Sequence, residues 1–447
     1  MKKMFKMFEI EQKFPANQLV DIPNKIFREM KENLPVNDLP KGSEIAITAG
    51  SRGISNIVEI LHECVRYLKD AGYKPFLVPA MGSHGAGTAQ GQIEVLYHLG
   101  ITEESVGAEI RSSMEVELLG HTEKGQPVYM DKNAYHADGI LVINRIKAHT
   151  AFRGKVESGL SKMVTIGLGK IKGASFVHSD GALQMPLNIE EVSLFALQNS
   201  PILMGLAIIE NGYDETADIV GVSKDNWHEK ESELLQYSKS MMPSLPIDNI
   251  DILIIEEMGK CYSGTGMDPN IIGRWRIDGV PEPERPFVSK IVVLDIADQS
   301  FGNAQGIGLA DFTTQRLVDK MDRKSTYTNA LTATFLRRAM LPMIYATDKE
   351  SVETAIQSLG PKIKKESIKI VQIPNTLHLK RIRVSLSVLN ELEKTNREII
   401  VKDPHELTFN QDGNLAKINL RLNHIANERS KKNGEHYDST KGRTGYR

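Results

Sequence analysis

The segment Glu44-Ile45-Ala46-Ile47-Thr48, then Asn56–Ala71, then Lys74-Pro75-Phe76-Leu77-Val78-Pro79 decides the fold class. The two short runs are apolar and suited to strands, while the stretch between them repeats its apolar residues at helical spacing and ends at Gly72. A buried strand, a helix and a second buried strand imply parallel strands joined by a crossover helix. The turn that follows, Ala80-Met81-Gly82-Ser83-His84-Gly85-Ala86-Gly87, lies at the carboxyl end of the second strand. In open α/β sheets ligands bind at that end.

Outward from this core the same alternation continues. A helix is expected over Gln90–Leu99, a strand over Ile140–Ile143 followed by the polar run Asn144–Gly159, a strand over Ile202–Ile209 and a helix over Trp227–Met241. Met242-Pro243-Ser244-Leu245-Pro246 places two prolines in a hinge. Beyond it, Ile250–Ile255 begins a second α/β unit, with the glycine-bearing loop Gly259–Asp268, a strand at Ile291–Leu294, and helices at Phe312–Lys320 and Ser351–Leu359. The expected organisation is two α/β domains with mainly parallel sheets and an active-site cleft between them: residues 1–243, residues 247–420, and a disordered basic tail over 421–447. From Arg421 onward the chain has seven Lys/Arg against three Asp/Glu and almost no apolar residues, which supports reading it as a tail.

The 447 residues carry 55 Lys+Arg against 57 Asp+Glu, a balance that gives no electrostatic footprint for nucleic acid. Two cysteines, Cys64 and Cys261, are too few for a disulfide framework or a four-thiolate metal site, and are expected to be small buried residues in a reducing cytoplasm. No apolar run is long enough to span a bilayer, and Glu9, Glu11 and Lys13 interrupt the basic start before a secretory signal can form. A cytoplasmic protein with neither nucleic-acid nor membrane partners is expected.

The familiar nucleotide motifs fail. Gly167-Leu168-Gly169-Lys170 has the wrong spacing for a phosphate loop, and Gly264-Thr265-Gly266 lacks the third glycine of a dinucleotide fingerprint. The histidines carry more. His84 sits between glycines just past a strand, a position suited to access rather than packing. His149 lies among Arg145, Lys147, Arg153 and Lys155, a group that is either a solvated face or a device that depresses the histidine pKa and attracts an anion. His178 has Asp180 two residues on, and is either structural or an oriented ligand. Lys162 opens the apolar run Met163–Gly167, where it either snorkels to water or becomes a nucleophilic amine through partial burial.

Taken together, Ser51-Arg52, Gly82-Ser83-His84, Lys147-Ala148-His149, Gly159-Leu160-Ser161-Lys162 and His178 resemble the nickel-dependent lactate racemase superfamily. The resemblance runs from about Glu44 through Val222 and includes a histidine sixteen positions after the lysine, since 178 − 162 = 16. It implies a nickel-pincer nucleotide, pyridinium-3,5-bisthiocarboxylate mononucleotide, covalently attached at Lys162. His178 would be the one protein ligand to nickel, and His84 and His149 the two acid/base groups. A ligand set of soft sulfurs with one imidazole suits nickel. Ser51 and Arg52 would contact the cofactor, or Arg52 the substrate carboxylate. Weaker contacts are expected from Arg145 and Lys147, and in the second unit from Asp268, Asn270 and Arg274. The implied activity is racemisation or epimerisation of a small anionic 2-hydroxy acid by hydride transfer through a transient 2-oxo acid, with cofactor-synthesis proteins as partners. Ala49, where the family has an acidic residue, and Leu160-Ser161, where it has a second glycine, mark a divergent member rather than a lactate-specific one. Two rival readings are a cofactor-independent acid/base isomerase or lyase, and a non-catalytic carrier or sensor of the cofactor or a hydroxy acid.

Overall fold

A computed structural model describes residues 5–35 and 39–418. The fold is α/β, built on two sheets. The first has five strands in the order Lys74–Pro79, Glu44–Ala49, Gly139–Arg145, Ile202–Glu210, Thr216–Ser223; the first four are parallel and the last is antiparallel. Its crossover helix, Ile57–Asp70, buries Ile60, Leu61, Cys64, Val65 and Leu68, one stripe at helical spacing that packs on one face of the sheet. Lys74–Pro79 forms as expected, and the Gly82–Gly87 turn leaves its carboxyl end.

The second sheet has eight strands in the order Met343–Tyr345, Phe312–Thr314, Phe287–Val293, Asn249–Ile255, Ile370–Ile373, Arg381–Ser385, Lys6–Gln12, Ile399–Glu406. The first five run parallel and the remaining neighbours pair antiparallel. Its central strand is fully buried from Ile252 to Ile255, which is why it reads as a continuous apolar run.

Three expectations are corrected. Lys6–Gln12, on the first-unit side of a division at residue 243, is a strand of the second sheet, where Met7 and Ile10 are fully buried. Phe312–Lys320 is not one helix: Phe312-Thr313-Thr314 is aromatic and β-branched and joins the sheet, and the Thr314 hydroxyl then caps the helix Gln315–Asp319 at the Leu317 N–H. Cys64 is buried, but Cys261 is exposed in the loop after Asn249–Ile255. The expected tail, 421–447, lies outside the described residues. No helix among the described residues is long and apolar enough to cross a membrane.

The chain passes between the sheets twice, and the two passages lie side by side. Gln12 Nε2 donates to the Leu379 carbonyl at 2.8 Å and to that of Ser244 at 3.4 Å. Gly212 lies against both Phe14 and the Met241 carbonyl.

Candidate active site

His84 is carried on the turn after Lys74–Pro79, with part of its surface exposed. The turn closes tightly because Gly85 has φ +65° and packs on Gly91, where a Cβ on Gly85 would lie 2.4 Å from a backbone carbon. From below, buried Gln92 donates through Nε2 to the Gly82 carbonyl at 2.9 Å. Gln92 is itself held by Lys170, whose Nζ donates to Gln92 Oε1 at 2.9 Å and to the Pro79 carbonyl, and pairs with Asp131 at 3.2 Å. The Ser51 hydroxyl hydrogen-bonds His84 Nδ1. Burial and the charges of Arg52, Lys162 and Lys260 lower the His84 pKa to about 4.

His149 follows the strand Gly139–Arg145 and stacks on Phe152 with ring centroids 4.0 Å apart. Its N–H donates to buried Glu157 at 2.7 Å, and Glu157 also accepts from Lys239 at 2.8 Å. The Ala151 N–H donates to His149 Nδ1 at 3.2 Å, and His149 Nε2 lies 2.8 Å from Lys162 Nζ. Burial first, then the charge of Lys162, holds the imidazole well below its ordinary value.

Lys162 ends the short α-turn Leu160–Lys162, which widens into π-turns over Met163–Gly167. Such widening recurs at functional sites. Buried Glu231 anchors this turn, accepting from the Ser161 N–H at 3.0 Å and from the Ser161 hydroxyl, while Trp227 Nε1 donates to that hydroxyl at 3.2 Å. Gly159 has no side chain because a Cβ there would lie 2.1 Å from Glu231 Oε1. Burial and the charge of Arg52 lower the Lys162 pKa to about 8.

His178 stands on the next helix, Lys170–Ser179, where its Nδ1–H donates to the Ala174 carbonyl at 2.6 Å. That bond fixes the tautomer and leaves the Nε2 lone pair free to bind a metal. Burial outweighs the Ala174 bond and lowers its pKa, with Lys162 adding to the effect. The charge of Lys162 thus reaches all three histidines.

The second unit supplies Lys260, from the loop after Asn249–Ile255. Its Nζ donates to the Gly264 carbonyl at 2.6 Å and to Asn329, and burial with Arg52 lowers its pKa to about 8. Arg52 approaches the same loop, its Nη2 lying 3.2 Å from where a Gly264 Cβ would stand. Burial and the neighbouring Arg145 lower the Arg52 pKa. The charges that shift Arg52, Lys162, Lys260 and His84 are all cationic. The site is therefore locally positive and suited to an anion.

The remaining expected contacts are placed elsewhere. Arg145 pairs with Glu210, which also accepts the Ser55 N–H. Lys147 and Asp268 line a small cavity beside the Met242–Pro243 passage, and Asp268 caps the turn Pro269–Ile272 through the Asn270 N–H at 2.9 Å. Asn270 accepts from Arg153, a contact between the units. Arg274 is buried within the second unit, donating to Leu309, Val288, Ser289 and Asp311. Residues not singled out from the sequence carry more of the site: Lys260, Glu231, Lys170 and Arg338. Buried Arg338 reaches across to the Thr150 carbonyl at 2.9 Å, beside His149. Only Lys260 had a local signal, standing in the glycine-bearing loop after a buried strand.

No known family profile and no curated protein matches the sequence. Among solved structures the chain is similar to the lactate racemase apoprotein from Thermoanaerobacterium thermosaccharolyticum. Identity is 14%, the TM-score 0.47, and the match covers 83% of this chain and 98% of that one. A second similar structure is a structural-genomics protein from Thermotoga maritima, with 13% identity, TM-score 0.48 and coverage of 81% and 98%.

Among the described residues no three His, Cys, Asp or Glu side chains gather to hold a metal ion. The site fits a group that brings its own metal donors and an anionic portion: His178 offers one free imidazole nitrogen, Lys162 an amine, and Arg52 and Lys260 positive charge.

Proposed function

We propose that this chain racemises or epimerises a small anionic 2-hydroxy acid, with a nickel-pincer nucleotide attached at Lys162, His178 as the protein ligand to nickel, and His84 and His149 as acid/base groups. The observation that carries this reading is that Lys162 lies 2.8 Å from His149 and within reach of His84 and His178, among neighbouring charges that are cationic. When bound, the nucleotide would supply a hydride acceptor that returns the hydride to either face of the substrate. The cofactor would come from its synthesis proteins.

The chain's own residues bind the anion and move the protons. Arg52 and Lys260 face the substrate carboxylate or the cofactor's anionic portion. The Ser51 hydroxyl can donate to or accept from His84 Nδ1, so His84 Nε2 is free to act as either base or acid. His149 differs: with Nδ1 accepting the Ala151 N–H, the neutral ring carries its proton on Nε2 and enters as a donor. One direction of turnover then takes the hydroxyl proton at His84 Nε2 while the His149 Nε2–H hydrogen-bonds the substrate oxygen. To return a proton the His149 ring must first gain a second one, since a neutral imidazole that lost its Nε2 proton would be an imidazolate. Burial, then the nearby cations, hold His84 near 4; binding an anion offsets the cationic part, so substrate itself raises the basicity of that imidazole.

The test is the full chain produced together with the cofactor-synthesis proteins. Bound nickel, a cofactor absorbance, and racemisation of at least one member of a panel of enantiopure 2-hydroxy acids are expected, all lost in Lys162→Ala. Full activity in Lys162→Ala would overturn the reading.

A further inference from the structure

The hydrogen bonds around His149 constrain Lys162 in a way that is independent of any cofactor. A neutral imidazole has one N–H and one lone pair. The Ala151 backbone N–H, which can only donate, points at Nδ1 from 3.2 Å. The Nδ1 lone pair is therefore in use, and the ring proton sits on Nε2. That N–H faces Lys162 Nζ at 2.8 Å. For this contact to be a hydrogen bond, Nζ must accept, which an ammonium cannot do and a free amine can.

The surroundings act in the same direction. The groups coupled to the amine are Arg52 from the loop after Glu44–Ala49, His84 from the Gly82–Gly87 turn, His149 from its own loop and His178 from the next helix. The only charge that shifts Lys162 is that of Arg52, and it disfavours a second cation. Arg52, whose charge reaches Lys162, and Lys260, whose charge reaches His84, favour a negative charge among these groups.

We infer that in the cofactor-free chain Lys162 is a carbonyl-capturing amine, selective for small 2-oxo acids, and that His149 is the positioning residue that favours its unprotonated form. The Lys162 Nζ lone pair adds to the carbonyl carbon, and a proton from nitrogen passes to the carbonyl oxygen. Loss of water from this carbinolamine leaves a C=N bond to the chain, with no change of oxidation state and no co-reactant. The acid's carboxylate lies against Arg52 and Lys260. This capture goes beyond the racemase reading and does not depend on it: a chain that never loads nickel should still capture, and a loaded chain should not.

The experiment uses the full chain made without cofactor-synthesis proteins, incubated with glyoxylate or pyruvate and cyanoborohydride across a pH series, with the reduced adduct located by peptide mass mapping. The expected result is an adduct at Lys162, with a rate that rises through about pH 8. Below that pH it should exceed labelling of an ordinary surface lysine by roughly a hundredfold, since the free-amine fraction scales with the pKa difference. Lys162→Arg abolishes the adduct. His149→Phe, which keeps an aromatic ring on Phe152, moves the half-maximal pH upward. The inference is overturned by adducts confined to other lysines. It is equally overturned by a Lys162 profile centred in the ordinary lysine range, a result that the wild-type chain alone can give if His149→Phe does not fold.

Discussion

Replacing Lys170 by Met tests how the His84 turn is held. The Lys170 ammonium is 1% exposed and reaches three partners: Asp131 at 3.2 Å, Gln92 Oε1 at 2.9 Å and the Pro79 carbonyl. Met fills nearly the same volume, so the substitution removes charge and donors with little cavity. Breaking a buried ion pair from one side costs ~3–5 kcal/mol, because the remaining charge is left without a partner. Asp131 can escape part of that cost by taking up a proton, since burial already raises its pKa. The lower end, about 3 kcal/mol, is therefore expected, which for a folding unit of roughly 200 residues lowers Tm by about 6–12 °C. Lys170→Met with Asp131→Asn removes both charges, and the amide oxygen so introduced can still accept the Ala134 N–H that Asp131 accepts at 3.0 Å. The double variant should recover at least ~1 kcal/mol relative to the single one. Thermal and urea unfolding of wild type, the two single variants and the double variant measure this. A single variant within ~1 kcal/mol of wild type, or a double variant as unstable as the sum of the two single substitutions, would refute the reasoning.

Two further outcomes concern the same site. Burial raises the Glu231 pKa to about 7, above its ordinary carboxylate value, so the folded state binds more protons than the unfolded state between those values, and stability falls as pH rises from about 4.5 to about 7. Urea midpoints followed against pH should show that loss in wild type and a flatter dependence in Glu231→Gln; identical slopes would contradict it. Gly85→Ala forces a Cβ to within 2.4 Å of the Gly91 backbone at a φ of +65°, and about 1–3 kcal/mol of strain with displacement of His84 is expected, read as a lowered Tm and a changed His84 imidazole titration by NMR.

The parts of the fold that were legible are those whose signal is local. The helix Trp227–Met241 and the strand Lys74–Pro79 carry their own periodicity and their own boundaries, and both form over those spans. His84 and His149 stood out by their places just past strands, Lys162 by the apolar run that it opens, and His178 by Asp180 and by the resemblance; in the structure the charge of Lys162 reaches the three histidines. What was not legible depends on distant partners. Nothing within Lys6–Gln12 says that Met7 will lie opposite Ser385. Glu231 reads as one more acid on a polar helix until the fold brings Ser161 against it. Arg338 is an ordinary arginine until it meets the Thr150 carbonyl from the other unit.

The strand Lys6–Gln12 also sets an order of events. It lies between Arg381–Ser385 and Ile399–Glu406, so its residues find these neighbours only after the long stretch of chain between them has been made. The five-stranded sheet is complete once Thr216–Ser223 has emerged, and can consolidate during synthesis. The eight-stranded sheet has to close the loop from Gln12 to Arg381, an entropic cost met after the five-stranded sheet can form. Until then the leading strand presents Met7, Phe8 and Ile10 to solvent, and in this protein that is the interval most exposed to misassembly.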